Sequence, residues 1–352
     1  MSDNTKIEWA TLGLDRGASW NPIRARNAKN GVTGHFCEKV SAGCDNCYAE
    51  SLNKRLGTGL AYKPGHRHSG AVEIYLDEMA LLQPLHWRKP RGVFVCSMTD
   101  LFGDWVSDES IDRVLAVIAL CPQHRFAVLT KRSKRMKAYF SRFKASPRDD
   151  GFITLGGVRS NDSPNGAPMF SPSRWPLPNL WLLVSAEDQQ RADERIPDLL
   201  ATTAAVRGVS VEPMLSAVDI CRYLGPPRPA AGLSMIITGG ESGPGARLMH
   251  PAWARDLRDQ CAADGVAYFH KQNGEWIDAD EWLTTLRAGG SYFAFDGATL
   301  ESPLNFEQAA AFAGGRRFEH QSDGSTMIRV GKRRSGRLLD GREHNEFPEI
   351  ES

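Results

Sequence analysis

Between residues 71 and 272 the chain alternates short β-rich runs with segments of helical periodicity, and that alternation admits little other than a parallel sheet built from βαβ units. The candidate strands are 71–76, 93–98, 125–130, 180–185, 205–211, 235–238 and 266–270. Several are continuously apolar, the pattern of strands covered on both faces. Ile111, Val114, Leu115 and Ile118 repeat with helical spacing behind Ser107 and Asp108, which can cap the helix start. A second helix follows Pro251, with Ala254, Leu257 and Cys261 inward. A further strand near 19–23 brings the number to eight, the content of an α/β, TIM-barrel-like (β/α) barrel in about 250 residues. An open doubly wound sheet shares the rhythm, because sequence does not reveal closure. Residues 1–276 are therefore expected to form the barrel, and 277–352 a C-terminal extension. An irregular insertion at 145–179 is marked by Pro147, Pro164, Pro168, Pro172, Pro176 and Pro178.

Several function classes drop out on composition. Lys plus Arg number 43 against 42 Asp plus Glu, a formal charge of +1, so any polyanionic partner must be met by a local patch. The longest apolar stretches, around 116–120 and 180–184, are far shorter than the roughly 20 residues of a membrane span. The first eight residues are polar and lack the apolar region of a signal peptide, so a cytoplasmic protein is expected. Seven cysteines, an odd number scattered through a long chain, argue against a disulfide framework.

Three of them are not scattered. Cys37, Cys44 and Cys47 lie within a segment spanning residues 35–50. Three thiolates on one short loop can hold three corners of a [4Fe–4S] cluster and leave the fourth iron open, where a closed cluster needs a fourth cysteine. An open iron suits S-adenosylmethionine, whose amino and carboxylate groups can chelate it before reductive cleavage to a radical. A structural zinc with His35 as fourth ligand is the competing reading, and three unligated thiols a third. Cys96, Cys121, Cys221 and Cys261 stand in apolar surroundings and read as small core residues.

The stretches Trp20-Asn21-Pro22, Val40-Ser41-Ala42-Gly43-Cys44-Asp45-Asn46-Cys47-Tyr48-Ala49-Glu50, Leu129-Thr130-Lys131-Arg132, Val184-Ser185-Ala186-Glu187-Asp188-Gln189 and Gly239-Gly240-Glu241-Ser242-Gly243-Pro244-Gly245-Ala246-Arg247 together resemble the phage Gp37/Gp68 family, also called DUF5131. The resemblance covers most of residues 7–276 and implies a TIM-barrel-like, three-cysteine, radical-SAM-like protein, without a settled activity. The spacing here, C-x6-C-x2-C with Tyr48 after the third cysteine, departs from the C-x3-C-x2-C of mainstream radical-SAM enzymes, which carry an aromatic just before it where this chain has Asn46.

In a β/α barrel the reactive residues gather where strands end. That rule selects Ser97 and Asp100, Lys131, Ser185 and Glu187, Glu212 and Lys271. Helix capping and salt bridging are the structural alternatives for each. Glu187 and Glu212 suit ribose hydroxyls or an amino group, and Lys131 or Lys271 a carboxylate or phosphate. Gly239, Gly240, Glu241 and Ser242 open a glycine-rich loop after the 235–238 strand, where backbone N–H groups can cradle a phosphate and Arg247 adds charge. The letters Gly-Gly-Glu also match a radical-SAM motif that contacts the methionine amino group, though that motif normally follows the second strand.

Basic runs at 131–137, 88–91 and 332–337 offer contacts to a nucleic-acid backbone, with Trp20, Trp87, Trp105, Trp181 and Trp276 as stacking candidates. Solvated helix faces and buried tryptophans are the bland alternatives. The leading expectation is a radical-SAM-like enzyme acting on an unidentified substrate, with a nucleotide or nucleic acid as a candidate and a partner protein as an open question. Its rival is a zinc-stapled barrel that binds nucleic acid or a partner.

Overall fold

The computed structural model describes residues 5, 7–141, 175–224, 232–281 and 317–349. In chain order the strands are β1 (Gly17–Trp20), β2 (Ile23–Asn27), β3 (Thr33–Gly34), β4 (Val72–Leu76), β5 (Gly92–Val95), β6 (Arg125–Thr130), β7 (Leu180–Ser185), β8 (Val206–Val211), β9 (Met235–Gly239), β10 (Ala267–Gln272), β11 (Trp276–Asp278), β12 (Phe318–His320) and β13 (Thr326–Arg329). The α-helices among the described residues are α1 (Tyr48–Arg55), α2 (Glu78–Leu81), α3 (Asp108–Ala119), α4 (Ser133–Ser141), α5 (Gln189–Leu200), α6 (Pro251–Asp264) and α7 (Lys332–Ser335).

Seven strands, β1-β5-β6-β7-β8-β9-β10, form one parallel sheet. Their residues alternate between two cores, as the two-residue period of a strand requires. Val93, Val95, Phe126, Val128, Leu180, Leu182, Val184, Val209 and Ile236 face the helices, meeting Ile111 and Val114 of α3, Met136 of α4, Ile196 of α5 and Leu257 of α6. Phe94, Ala127, Trp181, Leu183, Met235, Ile237 and Phe269 face the other way, onto Trp9, Ala10 and Leu12, with Phe347 packed against them. The short helical turn Glu8–Thr11 touches β1 and β5 at one edge and β10 at the other, so the sheet curls far enough for one turn of chain to reach both edges. Gly92 is glycine because a Cβ there would stand 2.2 Å from the Thr11 carbonyl oxygen.

The helix expectations hold. Ser107 caps α3 by accepting from Ser110 N–H, and Pro251 opens α6 with Ala254, Leu257 and Cys261 buried. The eight-stranded barrel does not. The 71–76 run forms β4, but it pairs antiparallel with β2 in a separate sheet ordered β3-β2-β4, and leaves the parallel sheet with seven strands. The expected 19–23 strand is split: β1 ends at Trp20, and Asn21 and Pro22, which has no N–H for a ladder, carry the chain into β2. Among the described residues β1 and β10 are not paired to each other, and the sheet is a curled α/β sheet without closure.

The outer edge of β10 is covered by the C-terminal segment. His270 N–H donates to His344 C=O at 3.0 Å and Glu346 N–H to Tyr268 C=O at 3.2 Å, with Phe269 and Asn345 bridged antiparallel. The third sheet, β11-β13-β12, spans the boundary expected at 276/277. Of the irregular insertion, 145–174 lie outside the described residues, as do 282–316 of the extension. No described helix is long and apolar enough to cross a membrane.

Candidate active site

The cysteine segment lies across the C-terminal ends of the parallel strands, and each tie that holds it there can be named. At its base, the fully buried Asn53 of α1 accepts from His35 N–H at 2.9 Å and donates to Thr58 Oγ1 and the Leu60 carbonyl. Past the end of β5, Thr99 Oγ1 donates to the Phe36 carbonyl, and Tyr48 Oη donates to that of Ser97. Past β6, Arg132 donates to the Glu38 carbonyl at 3.0 Å while stacking 4.4 Å over the Trp105 ring. Past β7, Glu187 accepts from Gly43 N–H at 3.2 Å, an approach a side chain at 43 would obstruct. Past β9, Arg247 donates to the Ala42 carbonyl and pairs with Asp45, while Glu241 accepts from Asn46 Nδ2 at 2.9 Å.

Under this loop is a cavity of about 140 Å³. Cys37, Cys44 and Cys47 line it from the loop side; Ser97, Asp100, Lys131 and Ser185 line it from the ends of β5, β6 and β7, with Tyr62, Phe94 and Leu129 as apolar wall. The three thiols are half-buried and unbridged. Burial pushes the Cys37 thiol up to about 12, with Asp100 and the neighbouring Cys44 and Cys47 adding to it against Arg132. Burial raises Cys47 as well. Cys96 also borders the cavity but belongs to the helix-side core, in a left-handed conformation at φ 56°. Cys121 and Cys261 are buried as expected, whereas Cys221 is exposed, contrary to its apolar reading: it begins a surface turn whose N–H donates to Asp219.

The strand-end residues divide by whether their hydrogen-bonding capacity is committed. Asp100 accepts from Thr130 Oγ1 (2.7 Å), Phe102 N–H (3.0 Å), Lys131 N–H (3.0 Å) and Arg132 Nη1 (3.1 Å), which leaves its carboxylate little for a ligand. Glu187, fully buried, is held by Gly43 and by Arg195 at 3.1 Å. Burial alone would raise its pKa, but Lys131 and Arg195 bring it down to about 2. Glu212 pairs with Lys271 at 3.0 Å and accepts from Ser210; neither Glu212 nor Lys271 lines the cavity. Asp188 caps α5. Ser97 Oγ is engaged with Asn21.

The glycine-rich loop holds itself rather than presenting an empty cradle. Gly240 N–H donates to the Gln272 carbonyl, Gly243 N–H to Glu275, Ala246 N–H to the Gly243 carbonyl and Arg247 N–H to Glu241. Gly239 makes room for the Glu212 carboxylate, whose oxygen would lie 2.6 Å from a Cβ, and Gly240 makes room for the backbone at Asn273. Ser242 sits in the same turn, away from the cavity lining. Burial opposes ionisation of Glu241, yet Arg247 and Asn46 hold its carboxyl below the usual range.

Three members of the basic run are similarly occupied. Arg132 serves Asp100 and Glu38; Arg135 donates to the Gly103 and Val106 carbonyls; Lys137 pairs with Asp198. Trp20, Trp87, Trp181 and Trp276 are buried, so none offers a face to a base. Two roles that the sequence did not disclose position the loop: that of Asn53, and that of Arg132, which stood only as a strand-end polar group and a member of the basic run. Their signal was weak: an asparagine inside a helical run, and one arginine among five adjacent cations.

His35 has both ring nitrogens engaged away from the thiols. Arg24 donates to Nε2 at 3.0 Å and Nδ1 faces the Ile23 carbonyl at 3.3 Å; burial, helped by Arg24, lowers its pKa to about 4. Among the described residues no three His, Cys, Asp or Glu side chains converge closely enough to hold one metal ion.

Fold and site together define an α/β protein with a thiol-lined cavity at the C-terminal edge of a curled parallel sheet. The sequence model of the family described as "Protein of unknown function (DUF5131)" matches residues 4–348, and the chain belongs to that family. No curated protein matches it. Among solved structures it is similar to a spore photoproduct lyase mutant with bound AdoMet and dinucleoside spore photoproduct, at 10% identity and a TM-score of 0.33, covering 89% of this chain and 67% of that one. A second spore photoproduct lyase mutant gives 10% identity and a TM-score of 0.32, over 84% of this chain and 66% of that one.

Proposed function

We propose that this protein is an iron–sulfur enzyme of the radical S-adenosylmethionine kind, with Cys37, Cys44 and Cys47 as cluster ligands. The finer placement among phage Gp37/Gp68 proteins belongs to the same reading and rests on the motifs quoted above. The observation that carries the reading is that the three half-buried cysteines of one loop share a cavity with polar side chains from three successive strand ends. Three thiolates that each bind a different iron need not converge on one point, as they must around a single zinc. When bound, a three-cysteine cluster supplies an open iron for S-adenosylmethionine and the electron for its reductive cleavage.

The chain's own residues do the rest. Asn53, Glu187, Arg132 and the Glu241–Arg247 pair fix the loop, so its thiols need little reordering to bind. Tyr62, Phe94 and Leu129 limit water around the site. The zinc alternative loses its fourth ligand, since His35 is committed to Arg24 and Ile23.

Anaerobic purification with iron, sulfide and zinc analysis tests the assignment. About four irons per chain are expected, lost on Cys37→Ala, Cys44→Ala or Cys47→Ala and kept on His35→Ala. Reduction with dithionite in the presence of S-adenosylmethionine should then yield 5′-deoxyadenosine. One zinc without iron, with S-adenosylmethionine left intact, sinks the proposal.

A further inference from the structure

The cations around the loop are paired with carboxylates, with one exception. Arg132 has Asp100, Arg195 has Glu187, Arg247 has Glu241, Lys271 has Glu212 and Lys39 has Glu50. Lys131 lines the cavity half-buried, and among the described residues its ammonium has neither a hydrogen-bond acceptor nor an ion-pair partner. Its charge helps to hold Glu187 ionised, but that carboxylate is already hydrogen-bonded by Gly43 and Arg195 and the Asp100 carboxylate by Arg132, so each has a cation of its own without Lys131.

A second donor lines the same cavity. β6 and β7 are parallel with Thr130 opposite Val184 as their last pair, and Lys131 and Ser185 are the residues that follow that pair on the two sides of the ladder. Ser185 also lines the cavity, and its hydroxyl makes no hydrogen bond among the described residues. An ammonium and a hydroxyl at one cavity wall, both with capacity to spare, leave a desolvated positive site that an anionic oxygen pair satisfies.

We infer that Lys131 and Ser185 form an anion-binding subsite that takes a carboxylate or phosphate group of the ligand held under the cysteine loop. The inference rests on the cavity being the ligand site, but it needs no iron for its test. The two sources of such an anion are the amino-acid end of an S-adenosylmethionine-like molecule and the phosphate of a nucleotide. Three probes separate them: S-adenosylhomocysteine, which carries the carboxylate; 5′-methylthioadenosine, the same thioether nucleoside without it; and adenosine monophosphate.

Titration calorimetry on the purified full chain should show one of the two anionic probes bound more tightly than the neutral one. Lys131→Met should remove that preference, about tenfold to a hundredfold in Kd, the range of one charge-assisted hydrogen bond. Ser185→Ala should weaken it less, Lys131→Arg should restore part of it, and Lys134→Met, an exposed neighbour, should leave it unchanged. A melting curve for each variant confirms folding. A preference for S-adenosylhomocysteine assigns the subsite to the cofactor's carboxylate, and one for adenosine monophosphate to a phosphate. Equal binding of all three probes by the wild type, no binding of any, or a preference that survives Lys131→Met overturns the inference. Because iron content is read separately, loss of the cluster reading leaves this result standing, and the reverse also holds.

Discussion

The loop after β9 and the cavity wall formed by the ends of β6 and β7 carry similar chemistry, and the structure uses them in opposite ways. In the first, Glu241, Arg247, Asn46 and the glycine N–H groups satisfy one another and hold the cysteine loop. In the second, Lys131 and Ser185 border a cavity, and their side-chain donors meet no acceptor among the described residues. A polar residue at a strand end is thus a clamp or a contact according to whether its partners already lie within the chain, and composition alone does not distinguish them.

The contrast sharpens under mutation. Glu187→Ala strands the buried Arg195 guanidinium and releases Gly43, so unfolding by urea should show a loss of about 3–5 kcal/mol, the usual cost of breaking a buried pair from one side. The same residue gives a pH signature. Its pKa is depressed from an ordinary 4.5 to about 2, so its contribution is complete above about pH 5 and fades as pH falls through that interval. A Glu187→Gln variant should flatten the acid limb of the stability profile.

Gly240→Ala drives a Cβ to 2.2 Å from the Asn273 carbonyl oxygen and should cost about 1–3 kcal/mol in the same assay. Gly232→Ala, whose new Cβ meets nothing within 4 Å among the described residues beyond its chain neighbours, should cost nothing measurable. Arg247→Ala removes contacts to Glu241, Ala42 and Asp45 at a partly solvated site, for a loss of about 1 kcal/mol and easier protease cleavage in the cysteine loop. Lys131→Met, which loses a longer-range attraction to Glu187 but no hydrogen bond or close ion pair, should cost less than Arg247→Ala, about 0.5 kcal/mol. A loss there as large as that of Arg247→Ala would erase the distinction between clamp and contact.

Much of this architecture was legible. Apolar runs such as Leu180–Ser185, buried at every position, declare strands covered on both faces, and Ser107 and Pro251 mark helix starts without tertiary help. The assignment of Val72–Leu76 failed because a strand's sequence says that it pairs, not with whom: its partner β2 runs antiparallel and lies across the Pro22 break. The cysteine segment and the strand-end list were also readable, but the sorting of that list was not. Glu187 meets Gly43 across 144 positions and Asn46 meets Glu241 across 195, separations at which local pattern carries no signal.

The core beneath the sheet has a consequence for how the chain is made. Trp9 and Leu12 near one end share it with Phe347 near the other, Phe347 lying 5.4 Å from the Phe269 ring between centroids. During synthesis the helix-side core can consolidate as successive β/α units leave the ribosome, while the opposite face waits for a residue made long after the strands it covers. Trp181, Leu183 and Ile237 stay incompletely covered through that interval, and closing contacts of such sequence separation form slowly. The nascent protein therefore passes through a stage with an exposed aromatic surface, when a chaperone has most to grip.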